Sequence, residues 1–212
     1  SPVLAANYTN LRTINVNAGN GDDSITGSND FADSILGGDG ADTVDGQGGN
    51  DTLNGGDGAD VIRGGSGNNR VLGGDGGDNI TTGGGNDTVD SGNGSDVVDL
   101  GDGDDSLFAG NGEDSVQGGN GNDTLNGDGG ADTVEGGAGD DLILGGELRD
   151  SLTGGTGNDT INGQAGNDTI DGGTGNDSLL GGVGNDSITG QAGTDTLSGD
   201  AGNDRLFGGD DA

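Results

Sequence analysis

The stretch Gly37-Gly38-Asp39-Gly40-Ala41-Asp42-Thr43-Val44-Asp45 decides how the whole chain is read, because it recurs every nine residues to the end of the 212-residue sequence. Its sixth position runs Asp33, Asp42, Asp51, Asp60, Asn69, Asp78, Asp87, Asp96, Asp105, Asp114, Asp123, Asp132, Asp141, Asp150, Asp159, Asp168, Asp177, Asp186, Asp195 and Asp204. Asp23 begins the series one residue out of step, so there are 21 units, with Asp at the sixth position in 20 of them. The eighth position is stricter: Ile25, Ile35, Val44, Leu53, Ile62, Val71, Ile80, Val89, Val98, Leu107, Val116, Leu125, Val134, Ile143, Leu152, Ile161, Ile170, Leu179, Ile188, Leu197 and Leu206 are all aliphatic. A repeat this regular must be settled before any local motif is read, since missing it mis-assigns the fold.

Composition alone points elsewhere. The chain has 56 glycines, 39 acids against 5 basic residues, a formal charge of −34, 25% hydrophobic and 2% aromatic residues, the profile of a disordered polypeptide. A disordered tract has no reason to keep Val, Leu or Ile at one phase through 21 units. There is no Cys and no His, and all five basic residues are Arg (Arg12, Arg63, Arg70, Arg149, Arg205). Disulfides, thiolate chemistry and the usual general bases and activated nucleophiles are therefore missing, and the sequence is read as non-enzymatic. The negative charge repels phosphate backbones and anionic membranes, so neither nucleic acid nor membrane insertion is expected. No apolar run approaches the roughly 20 residues of a membrane span.

Within each unit the seventh to ninth positions form a polar-aliphatic-mixed triplet, which fits a very short strand with one buried face. The six glycine-rich residues before it read as a tight turn. Strand and turn then alternate every nine residues, two units make an 18-residue coil, and like strands stack in parallel so that eighth-position aliphatics of two sheets face each other. Such a core is thin. One buried aliphatic contributes ~1.5–3 kcal/mol, while each ordered residue costs about 1–2 kcal/mol in backbone entropy. The regular Asp must supply the rest, and carboxylates beside exposed glycine carbonyls form the oxygen-rich donor set that calcium tolerates better than magnesium does.

With these residues in view, the sequence closely resembles the RTX family of calcium-binding nonapeptide-repeat proteins, over residues 18 to about 209. The resemblance implies an all-β, parallel β-roll (a right-handed β-solenoid) of about ten coils, with each Ca2+ ion between one turn and the turn a coil later. It also implies the ligands: sixth-position aspartates and carbonyls of the first four positions. One row of sites would run along Asp42, Asp60, Asp78, Asp96, Asp114, Asp132, Asp150, Asp168, Asp186 and Asp204, capped by Asp23. The other would run along Asp33, Asp51, Asn69, Asp87, Asp105, Asp123, Asp141, Asp159, Asp177 and Asp195. The turn glycines carried over are Gly38, Gly40, Gly56, Gly58, Gly74, Gly76, Gly119, Gly121, Gly155, Gly157, Gly173, Gly175, Gly182 and Gly184. By the same resemblance the domain is secreted or at the cell surface of a bacterium, passes a type I secretion channel unfolded, and folds outside where calcium is plentiful. A rigid surface-layer or adhesin spacer, or an accessory module of a secreted enzyme, are the alternatives. Ice binding through Thr156 and Thr174 is a weaker fit, because the threonine row is too short.

Two units depart from the pattern. Asn69 lacks the charge and precedes Arg70, and Gly145-Gly146-Glu147-Leu148-Arg149-Asp150 has Leu for the fourth glycine and a cation at the fifth position, so weak, distorted or empty sites are expected at both. Residues 1–17 lack the motif; Ile14 and Val16 alternate with polar residues, which predicts an entry strand capping the roll formed by 18–212. The sequence stops inside a further unit, as a piece of a longer polypeptide would. The many Asn-Asp-Thr sequons are by-products of the repeat, the glycine strings lack a Walker Lys, and the spacing of acids is not that of an EF-hand. One second-order pattern remains. The ninth position is apolar at Leu36, Leu72, Phe108, Leu144 and Leu180, 36 residues apart on one sheet, and reads as either an inherited duplication or a docking face for a neighbouring copy or domain.

Overall fold

The computed structural model describes residues 5–7 and 13–209. It contains 23 strands, which alternate along the chain between a 12-stranded and an 11-stranded sheet, both parallel throughout. Among the described residues there is no helix. From Ser34↔Thr52 to Ser187↔Arg205 each residue pairs with the residue 18 positions on, so two strands and two turns make one coil. This gives a β-solenoid of about eleven coils, one more than the expected ten. Residues 1–4 and 8–12 of the entry segment, and 210–212, lie outside the described residues; Asn15–Asn20 forms a rung of the second sheet, with Val16 opposite Ile35.

The eighth-position side chains from Ile25 to Ile188 form one continuous buried column between the sheets. Leu197 is only partly buried and Leu206 is 43% exposed, because no described strand stacks beyond Arg205–Phe207 to cover them. Two further residues enter this column from the first position of the repeat, Leu100 and Ala109, both fully buried.

The strands are longer than the triplet reading expects. A typical strand, Thr52–Asp57, runs from the seventh position through the third position of the next unit, leaving a three-residue turn, Gly58-Ala59-Asp60. The glycines stay in the ladder because they stack on copies of themselves: Gly38 pairs with Gly56 and Gly56 with Gly74. At Gly56 (φ +116°) a side chain would both strain the backbone and run into the Gly38 carbonyl one coil earlier, so glycine here serves close approach as much as turning. Near the start, at Ser24–Thr26 and Thr43–Asp45, the strands are three residues long, as is the last, Arg205–Phe207. At the start the extra residue between Gly27 and Asp33 lengthens the register to 19, as in Ser24↔Thr43, and beyond Asp45↔Arg63 the next rung continues only as the bridge Gly48↔Ser66.

The aliphatic column is one side chain deep, so a cavity in it cannot be filled from a second layer. Leu125→Ala should lower stability by about 2–5 kcal/mol, read as an earlier urea midpoint in the presence of calcium. A midpoint equal to that of the parent chain would show that the column is not what is being broken.

Candidate metal centre

The sixth-position aspartates come to the inner side of the turns on both edges of the roll and are buried from Asp23 to Asp186, as is Asn69 in the same series. Their two oxygens do different things. The Oδ1 of each accepts the backbone N–H of its counterpart one coil earlier: Asp42 donates to Asp60 at 2.8 Å, Asp60 to Asp78 at 2.8 Å, and Asp132 to Asp150 at 2.9 Å. The opposite edge repeats this, with Asp105 donating to Asp123 at 2.9 Å and Asp123 to Asp141 at 2.8 Å. The Oδ2 is left bare. From Asp42 to Asp195 every sixth-position aspartate has a buried Oδ2 with no hydrogen-bond partner, seventeen in all.

The surroundings of that oxygen come from the first-position glycines. A Cβ placed on Gly37 would fall on Asp42 Oδ2 and on the Gly55 carbonyl; one on Gly55 would fall on Asp60 Oδ2 and lie 2.7 Å from the Gly73 carbonyl. Where the first position is glycine, the bare carboxylate oxygen lies beside a backbone carbonyl of the next coil, across a space that glycine keeps open, as at Asp42 and Asp60. The second- and fourth-position glycines, such as Gly38, Gly40, Gly56 and Gly58, abut carbonyls of their counterparts one coil earlier. The sequence reading takes in the carbonyls of the first four positions; that the first-position glycine is the one against Oδ2 is legible only once the coils are stacked.

Burying an acceptor unpaired costs ~1–3 kcal/mol, and more when it is charged, so seventeen of them cost on the order of tens of kcal/mol against a typical net stability of about 5–15 kcal/mol. Desolvation accordingly raises these carboxyls above the ordinary 3.8, opposed by the backbone hydrogen bond and reinforced by neighbouring carboxylates. Asp51, Asp60, Asp96, Asp132, Asp159 and Asp168 are pushed up to about 6. Asp105, Asp141 and Asp150 are pushed up to about 7.

Among the described residues no three acidic side chains cluster, so any cation must draw on one or two carboxylates and on carbonyls. Bare, buried, glycine-cradled oxygens with no nitrogen or sulfur among them fit a hard divalent ion of flexible coordination. A family model for the RTX calcium-binding nonapeptide repeat (four copies) matches residues 27–62, 36–71, 45–80, 63–98, 72–107, 108–143, 144–179 and 180–212. The chain belongs to the RTX calcium-binding repeat family. No curated protein gives a match.

Several turns of this RTX roll differ in ways that bear on metal. Asp33 Oδ2 is not bare: the Ser28 backbone N–H donates to it at 2.5 Å and the Ser28 hydroxyl at 3.0 Å, which the extra residue between Gly27 and Asp33 makes possible. Asn69 keeps the structural half of the role, since Oδ1 accepts from Asp51 at 3.0 Å, but its Nδ2 donates to the Gly67 carbonyl at 3.0 Å and occupies a turn oxygen. Leu148 takes the glycine-like turn at φ +74°, and the bond from Gly130 N to the Glu147 carbonyl one coil later stretches to 3.4 Å, whereas Asp150 Oδ2 stays buried and bare. Thr82 and Ser91, at first positions, donate hydroxyls to the carbonyls of Leu100 at 2.7 Å and Ala109 at 2.8 Å. These two were visible as non-glycine first positions, although nothing in the pattern says what their hydroxyls reach.

A carboxyl whose folded pKa lies above its unfolded value supports the fold only while protonated. That contribution is complete below pH ~4 and is lost as pH rises through about 6 to 7. Chelated protein should therefore gain β-sheet circular dichroism between pH 8 and pH 5, and less calcium should be needed at pH 5 to complete the signal, because protonation already supports part of the fold. A chelated spectrum independent of pH over that range would contradict the burial of unpaired carboxylates.

Proposed function

We propose that the chain is a calcium-driven folding module: disordered as a polyanion where calcium is scarce, and ordered into the roll where it is plentiful. The observation that carries this is the stack of seventeen buried, unpartnered Oδ2 atoms. The ligands in this reading are the sixth-position aspartates of both rows, from Asp23 to Asp204, with carbonyls of the glycine turns beside them. Calcium bound there supplies the positive charge that these carboxylates lack, and the binding free energy becomes folding free energy. The 21 units taken one coil apart leave at most 19 shared positions, so full occupancy would add roughly +38 against the chain's −34 if each takes one divalent ion.

Positions around Asn69, where an amide replaces a carboxylate and covers a carbonyl, hold calcium weakly in this reading; so do those around Leu148-Arg149 and Asp33. A secreted or cell-surface setting, reached by type I secretion, agrees with a fold that waits for external calcium. The constant register of the coils makes a straight rod, which suits a surface-layer or adhesin spacer, or the accessory module of a secreted enzyme, and not a catalytic role of its own. The apolar row of the second sheet serves contact with a protein surface.

Circular dichroism and sedimentation in calcium, then in excess chelator, test the central claim. β-structure and a compact sedimentation coefficient should appear only with calcium; a spectrum unchanged by chelation at pH 7.5 would end the proposal. Asn69→Asp should raise the calcium bound per chain by about one or two ions in equilibrium dialysis, because it restores one ligand to the positions on either side. An unchanged stoichiometry would show that the turn around Asn69 is not limited by its missing charge.

A further inference from the structure

We propose that the outer face of the second sheet is an isologous interface, packing against the same face of a second copy that runs in the opposite direction along the roll. The proposal rests on the calcium reading above, since only the ordered roll presents this face. The ladder Leu36↔Asn54↔Leu72↔Asp90↔Phe108↔Asn126↔Leu144↔Asn162↔Leu180 is continuous, one residue per rung. Phe108 is 54% exposed at its centre, and Val183, on the strand of Leu180, is 66% exposed. The apolar pattern is palindromic about Phe108. A two-fold axis along that strand sets Phe108 against Phe108, Leu72 against Leu144, Leu36 against Leu180 and Asn54 against Asn162.

Charge selects this arrangement over its alternatives. Four acids of the face, Asp39, Asp57, Asp75 and Asp90, lie in its N-terminal half and two, Asp128 and Glu147, in its C-terminal half; the antiparallel copy brings Val183, Ala165, Glu147 and Asn126 opposite the first four and Gly92 opposite Asp128. Only Asp75 with Glu147 then meets a like charge. Two copies packed face to face with their rolls parallel would need a two-fold axis along the ninth-position row, which sets Asp90 against Asp90. Stacking onto the other sheet is disfavoured as well, because its ninth-position row carries Asp99, Glu135 and Asp171 where this one carries Phe and Leu.

The size is also right. Nine strands at ~4.8 Å spacing and six residues at ~3.3 Å give a face of about 38 by 20 Å, close to the ~800 Å² per partner of a stable dimer. Self-pairing of one surface patch is the usual geometry of dimers.

The chain has no Cys, so single cysteines report the arrangement directly. In calcium the parent chain should sediment as a dimer, and Phe108→Ser as a folded monomer by circular dichroism. Under mild oxidation Phe108→Cys should form a covalent dimer alone. Leu36→Cys should remain monomeric alone but form covalent dimers when mixed with Leu180→Cys. Self-crosslinking of Leu36→Cys would overturn the antiparallel arrangement. A parent chain that is monomeric in calcium with full β-structure would overturn the interface while leaving the calcium reading intact, whereas absence of β-structure in calcium would overturn both.

Discussion

The interaction on which everything else depends is the stacking of one aspartate on the next, 18 residues further along the chain. Its two carboxylate oxygens carry opposite consequences. Oδ1 holds successive turns in register by accepting a backbone N–H at 2.6–3.0 Å along both edges of the roll. The same placement pins Oδ2 inside the turn, where seventeen of these oxygens, from Asp42 to Asp195, accept no hydrogen bond. The geometry that aligns the coils therefore also accumulates buried negative charge, and the thin aliphatic column between the sheets is too small to offset it. This accumulation of buried charge is what the proposed calcium-driven folding answers.

The turns are not uniform. On the edge that carries Asp51 and Asp87, fifth-position side chains from Asn50 to Asn176 accept the N–H of the fifth residue one coil later, as Asn50 does from Asn68 at 2.9 Å and Asn158 from Asn176 at 3.0 Å. The other edge has Ala41, Ala59 and Ala131 at this position, with no side-chain acceptor, and repeats the bond at Ser95, Asn167 and Asn185. In the middle of the roll Thr82, Ser91, Leu100 and Ala109 replace first-position glycines. The hydroxyls cover carbonyls, and the two apolar residues widen the core column. Register is thus held partly by carboxylates and partly by amides, hydroxyls and added apolar contact, in proportions that change along the rod.

Much of this was legible in the sequence. The invariant aliphatic eighth position is Ile62, Ile80 and Val98 on one sheet and Leu53, Val71 and Val89 on the other, and that alternation alone implies two facing sheets with a single core column. The sixth-position Asp, in a chain without His or Cys, implies oxygen chemistry for a hard cation. The nine-residue period gives the parallel 18-residue register, and with it the apolar row from Leu36 to Leu180, because all of these follow from spacing along one chain.

Only the stacked structure decided which oxygen of each aspartate is bare, that first-position glycines lie against it, that glycines continue the strands, and that Ser28 satisfies Asp33 while Asn69 turns its amide onto a carbonyl. The physical reason is the same in each case. A nonapeptide pattern records what a residue is and how often it recurs, whereas these outcomes are set by atoms one coil away, in contacts as short as a hydrogen bond, whose direction no spacing encodes.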